Sequence, residues 1–208
     1  MKDHTRLMPF KVFIGCVFAL GLAGTSAADV QKALETCYSC HGKDGASTEK
    51  DIPIIGGYSA YYITDSMTAY RNKERPCVEA EIRSGPHKGN KTDMCAVAKD
   101  LSEADTKEVA EQLASKPFVR AKQEFDPEKA KLGEIVQNRD CKKCHEDGGS
   151  SPDDDAGILA GQWKKYIQNQ MEDYSTGKRQ MTKKMKVKFE KLDKTDIDNI
   201  IEYFASFQ

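Results

Sequence analysis

Cys37-Tyr38-Ser39-Cys40-His41 returns 104 residues later as Cys141-Lys142-Lys143-Cys144-His145. The same offset, without a gap, lays Ile54 on Ile158, Gly57 on Gly161, Tyr62 on Tyr166, Ile63 on Ile167, Met67 on Met171, Tyr70 on Tyr174 and Arg75 on Arg179. Beyond Arg75 the offset falls to 91, which pairs Met94 with Met185, Leu101 with Leu192, Asp105 with Asp196, and Ala114-Ser115 with Ala205-Ser206. The first copy therefore carries 13 extra residues between Arg75 and Met94, the difference of 104 and 91. Self-similarity of this extent divides a chain into units before any secondary structure is assigned. The expected organisation is a first domain over 28–117, a linker over 118–126 that follows Pro117, and a second domain over 127–208.

Each copy reads as helix and loop. Trp163, Tyr166, Ile167, Gln170, Met171 and Tyr174 fall at helical spacing with an apolar stripe, and Ile197, Ile200, Ile201 and Phe204 do the same near the end. Ser102, three residues before Asp105, has the form of a helix N-cap with an acidic partner. No convincing alternating strand pattern occurs, so the fold class is all-α. A unit of about 85 residues of helix and loop has a thin core, and something other than side chains is expected at its centre.

The motif says what that is. In Cys-x-x-Cys-His two thiols bind the vinyl groups of a haem and the adjacent His binds its iron. A zinc site wants four ligands in paired clusters, and a thioredoxin-like dithiol wants a βαβ context; neither is present. Two covalent haems c are therefore expected, on Cys37, Cys40 and His41 and on Cys141, Cys144 and His145. An electron-transfer haem also needs a sixth ligand, and Met opposite His raises its potential. Met94 and Met185 stand at one place of the repeat, each seven residues before the Leu at the last helix, and are the expected axial ligands. Met181 competes in the second copy and His87 in the first, although His87 in Gly-Pro-His-Lys-Gly reads as a surface-loop residue. Trp163 and Tyr166 are expected to pack against the second haem.

Cys77 and Cys95 bracket the extra residues and have no counterparts in the second copy. In an oxidising compartment such a pair is most simply a disulfide, closing a loop of roughly 17 residues and contributing about 3 kcal/mol. The alternative is a copper site of Cys77, His87 and Cys95, since thiolate and imidazole suit that metal.

The chain starts with Lys2, Arg6 and Lys11, then an apolar run from Val12 to Leu22 and small residues from Gly24 to Ala28. That is the layout of a secretory signal peptide over 1–27, which implies the periplasm. The apolar run is shorter than the roughly 20 residues of a spanning helix, so no stable membrane span is expected, and Cys16 belongs to the discarded segment. The net charge of −1 becomes −3 once Lys2, Arg6, Lys11 and Asp3 are removed. No net basic field exists to neutralise phosphates, which excludes nucleic acid as a partner.

These residues resemble the dihaem class I cytochromes, the c4 type included. In the second half Cys141-Lys142-Lys143-Cys144-His145-Glu146-Asp147-Gly148-Gly149, Ile158-Leu159-Ala160-Gly161-Gln162-Trp163 and Met181-Thr182-Lys183-Lys184-Met185 are similar to the cytochrome subunit of flavocytochrome c sulfide dehydrogenase. The linker Ala121-Lys122-Gln123-Glu124-Phe125-Asp126 fits the same family. The resemblance implies two tandem class I cytochrome c domains, each wrapped around one haem. It also implies a heterodimer with a flavoprotein subunit, flavin being bound only by that partner, and onward transfer to a downstream acceptor. In that family sulfide reacts on the flavoprotein, so this chain would be the electron-transfer subunit of an oxidoreductase and not its catalytic subunit. The alternative is a freestanding c4-type carrier to a terminal oxidase. The insertion between Cys77 and Cys95 departs from the family pattern.

Overall fold

The computed structural model describes residues 27–153 and 155–208; all but the last residue of the expected signal segment, Cys16 included, lies outside the described residues. Among the described residues the regular structure is almost wholly helical, joined by long loops: α1 (Ala27–His41), α2 (Ala60–Arg71), α3 (Met94–Asp100), α4 (Glu103–Ala114), α5 (Pro127–Val136), α6 (Lys164–Ser175), α7 (Lys183–Phe189) and α8 (Lys194–Ala205). The repeat is visible in their ends. α2 and α6 differ by 104 at both termini, and α4 and α8 by 91 at both.

Local chemistry sets these boundaries. Ser59 caps α2 by accepting from the Tyr62 amide at 3.0 Å. Ser102 caps α4, its Oγ accepting from Asp105 N at 3.0 Å and donating to Asp105 Oδ2 at 2.6 Å, as the sequence predicts. Asp126 caps α5 with Pro127 in the first turn, and Asp193 caps α8. The tight approach of chain to helix recurs in both copies. Gly57 and Gly161 have φ of 81° and 80°, and their amides donate to Leu113 O at 3.0 Å and Phe204 O at 2.8 Å. A residue with a Cβ is strained in that left-handed region.

The insertion is the departure from all-helical structure: a two-residue antiparallel ladder, β1 (Ala80–Glu81) with β2 (Lys91–Thr92), whose turn carries His87 on the surface. Cys77 and Cys95 form a disulfide at its base, with Cα atoms 5.4 Å apart. The copper reading is thereby overturned, because both sulfurs are bonded to each other and His87 is exposed away from them.

One core gathers Leu34, Tyr58, Ile63, Met67, Val109 and Leu113 from the first half, with Ile158 from the second. The other gathers Val136, Ile167, Ile200, Ile201 and Phe204. Ile54, Ala121 and Trp163 form a third cluster at the seam between the halves. The segment joining the halves is no free tether. Ala121 is buried and its amide donates to Gly161 O at 2.7 Å, while the Gln123 side chain donates to Gln162 O and accepts from Lys164 N, both at 2.8 Å.

Candidate functional site

Cys37, Cys40 and His41 occupy the last turns of α1, where spacings of three and four put them on one face of the helix. The insertion fastens the backbone there: the Arg83 and Ser84 amides donate to Ser39 O at 3.0 and 2.9 Å. His41 is buried and its Nδ1–H donates to Pro53 O at 2.9 Å. That bond fixes the tautomer and leaves Nε2 as the nitrogen able to bind a metal. Burial lowers the pKa of His41, with the Pro53 bond opposing it, so the ring is held neutral, the form a ligand needs.

The second motif has the same residues on a different backbone. α5 ends in a π-turn over Gln137–Cys141, and His145 follows in a tight turn, its amide donating to Cys141 O at 3.0 Å. Buried Gln137 supports that turn by donating to His145 O at 2.6 Å. Asp140 connects the motif to its surroundings through Lys188 of α7 at 3.3 Å and through Arg139, which also reaches Asp196 of α8 at 2.7 Å. All four motif cysteines are free thiols while Cys77 and Cys95 are bridged. Burial pushes the Cys37 and Cys141 thiols up to about 11. Free, protonated thiols beside a ring nitrogen fixed for metal binding are a donor set that fits a covalently attached haem.

Met94 opens α3 behind the Asp93 cap and packs, with Cys37 and Tyr38, against the first core. In the second half Thr182 caps α7, its Oγ accepting from Met185 N at 3.2 Å, and Met181 directly precedes that cap. A cavity of about 250 Å³ at the seam is lined by Tyr62, Ser66, Arg75, Arg179 and Met181. A second, of about 540 Å³, lies against Tyr174, Met181, Phe189, Leu192 and Ile197. Neither cavity is lined by Cys141, Cys144 or His145.

Between the halves lies a cluster that motif reading missed. Arg75 donates to Tyr166 Oη at 3.3 Å and Gln170 Oε1 at 3.2 Å, and Arg179 donates to the same Gln170 oxygen at 2.6 Å and to Tyr62 Oη at 3.4 Å. Each guanidinium also stacks on the tyrosine five positions before it, Arg75 on Tyr70 at 4.4 Å and Arg179 on Tyr174 at 4.6 Å. Under the offset of 104 these contacts are reciprocal: residue 75 of each copy meets residue 62 of the other, as across a two-fold interface. Gln162 adds a second such set. It donates to Ile54 O at 2.9 Å and Tyr58 Oη at 2.8 Å and accepts from Ile54 N at 3.0 Å, while Tyr58 Oη donates to Ile158 O at 3.3 Å. Trp163 belongs here too. Its indole donates to Ser47 O of the first half at 2.8 Å and it packs on Ile54 and Ala121, a role in joining the halves that the helical spacing did not reveal.

Arg75 is buried and Arg179 half-buried, and among the described residues neither guanidinium pairs with a carboxylate. Burial alone would raise the Tyr62 phenol, but Arg179 and Arg75 outweigh it and hold the pKa below its usual value. Two cations drawn out of bulk water with only neutral partners suit an anionic group at the seam. The signal in the sequence was there: Tyr62, Tyr70 and Arg75 are identical in both copies, at polar positions that packing alone does not require.

No protein-family profile matches the chain. It is 33% identical over 93 residues to cytochrome c-554(548) of Halomonas halodenitrificans, a match that covers 45% of this chain and 98% of that protein. It is 26% identical over 211 residues to cytochrome c4 of Pseudomonas aeruginosa, covering 93% of this chain and 96% of the relative. The crystal structure of reduced recombinant cytochrome c4 from Pseudomonas stutzeri superposes with a TM-score of 0.69 at 24% identity, over 89% of this chain and all of that one.

Proposed function

The chain belongs to the c-type cytochromes and has the fold of cytochrome c4, and on that premise we propose that it carries two haems c and passes single electrons between them across the seam of its halves. The observation that carries this reading is the repetition of the whole ligand constellation on two units whose polar side chains interlock directly. Haem supplies the one-electron iron couple. The protein supplies the rest. Cys37 and Cys40, and Cys141 and Cys144, would hold the macrocycles, and His41 with Met94 and His145 with Met185 would bind the irons. Arg75 and Arg179 offer their unpaired positive charge to the haem carboxylates. The interlocked seam fixes the separation of the two sites, on which the electron-transfer rate depends. Domains over 28–117 and 127–208, a linker over 118–126, and export to the periplasm behind a signal peptide over 1–27 complete the proposal.

For the partner, the second-half segments at 141–149, 158–163 and 181–185 favour a flavoprotein subunit of the sulfide dehydrogenase kind as donor. The second reading, a freestanding carrier, is favoured by the cytochromes c4 among the relatives, one of them matched over 96% of its length. Native purification from source cells separates them. A copurifying flavin-bearing protein establishes the first, and a lone chain carrying two haems by mass establishes the second. A mature chain carrying one haem or none overturns the dihaem reading itself.

A further inference from the structure

The disulfide has no role so far in the proposed electron transfer, and its position beside Met94 suggests one. In the second copy Met185 follows Arg179 by six residues, a short tether to the seam. In the first copy the insertion lengthens the corresponding path, Arg75 to Met94, to 19 residues. The disulfide removes that difference. Cys77 lies two residues after Arg75, Cys95 one residue after Met94, and the bridge joins them. Cys95 Sγ also lies 4.0 Å from Arg75 O, and Asp93 holds the first turn of α3 by accepting from Cys95 N at 2.8 Å and Ala96 N at 2.9 Å. Met94 is thus gripped on both sides, and its covalent path to Arg75 is as short as that in the second copy.

We propose that Cys77 and Cys95 are positioning residues for Met94: the bridge offsets the insertion and holds this methionine against the first haem. The proposal rests on Met94 being that haem's axial ligand. The effective concentration of a tethered group falls roughly as the −3/2 power of tether length, so opening the bridge lowers that of Met94 about five- to tenfold. The second haem has no such dependence.

The test uses the ferric dihaem protein titrated with imidazole, a competing sixth ligand, while the red absorbance band of Met-bound iron is followed. In Cys77→Ser/Cys95→Ser, one haem is expected to lose its methionine at about five- to tenfold lower imidazole than in the unaltered protein, by the same tether scaling, and the other haem is unchanged. Met94→Ala identifies the first haem's share of the band. The loss is confined to the first haem, whereas a general loss of stability weakens both sites alike. If the double variant does not fold, the same titration is made on the native protein after its disulfide has been reduced and alkylated. Equal titrations with and without the bridge overturn the clamp. A native protein in which Met94→Ala leaves the band unchanged instead overturns the Met94 assignment on which the clamp depends.

Discussion

Met181 and Met185 stand on either side of the Thr182 cap, one just before α7 and the other in its first turn, and local geometry favours neither. The repeat favours Met185, because Met94 has the same distance to its Leu. Met185→Ala is accordingly expected to abolish the red Met–iron band of the second haem, and retention of the full band transfers the role to Met181. Asp140 makes a prediction of another kind. Arg139 holds its carboxyl below the ordinary value of 3.8, with Lys188 adding to that against the effect of burial. A depressed carboxyl stabilises the fold above its unfolded pKa, and the contribution is lost as pH falls through the folded value. Asp140→Asn is expected to flatten the acid limb of a stability-versus-pH curve below about pH 4, with little change in the rest of the profile. An unaltered acid limb would show that the pair contributes nothing measurable, a common outcome where the cationic partners are solvated.

At the scale of elements, α4, α6 and α8 were legible because each carries its own signals, an apolar stripe or a Ser cap. The start of α6 is the exception. Trp163, its N-cap residue, offers no side-chain acceptor; the first-turn amides of Lys164 and Tyr166 are satisfied instead by Gln123 of the linker and by Lys50 O of the first half at 3.1 Å. A cap supplied by distant residues leaves no local trace in sequence. The contact of α5 with α8 is similarly silent. Gly133 lies so close to α8 that a Cβ would overlap the Asn199 carbonyl and crowd Tyr203. Gly133→Ala, favourable by helix propensity alone, is expected to destabilise the protein by about 2–3 kcal/mol through overpacking, measured by thermal or chemical denaturation. Stabilisation would mean that the two helices separate freely.

For the whole molecule the question is whether the halves melt together. Gln162 is fully buried and satisfies both the amide and the carbonyl of Ile54 across the seam. Gln162→Leu leaves those groups buried without partners, at a cost of about 1–3 kcal/mol each. The expected outcome is two resolved calorimetric transitions where the parent shows one; a single transition at the parent's temperature would show that the linker and the Arg75–Arg179 cluster couple the halves without Gln162. The sequence by itself determined the repeat, the all-α class and the paired Cys-x-x-Cys-His motifs, because periodicity, capping and fixed ligand spacing are properties of near neighbours in the chain. The Cys77–Cys95 bridge, expected from the sequence, is present; tertiary structure alone decided that Trp163 joins the halves and that Arg75 and Arg179 exchange tyrosines. These depend on which distant surfaces meet and what their buried polar groups find there, and no local pattern encodes that.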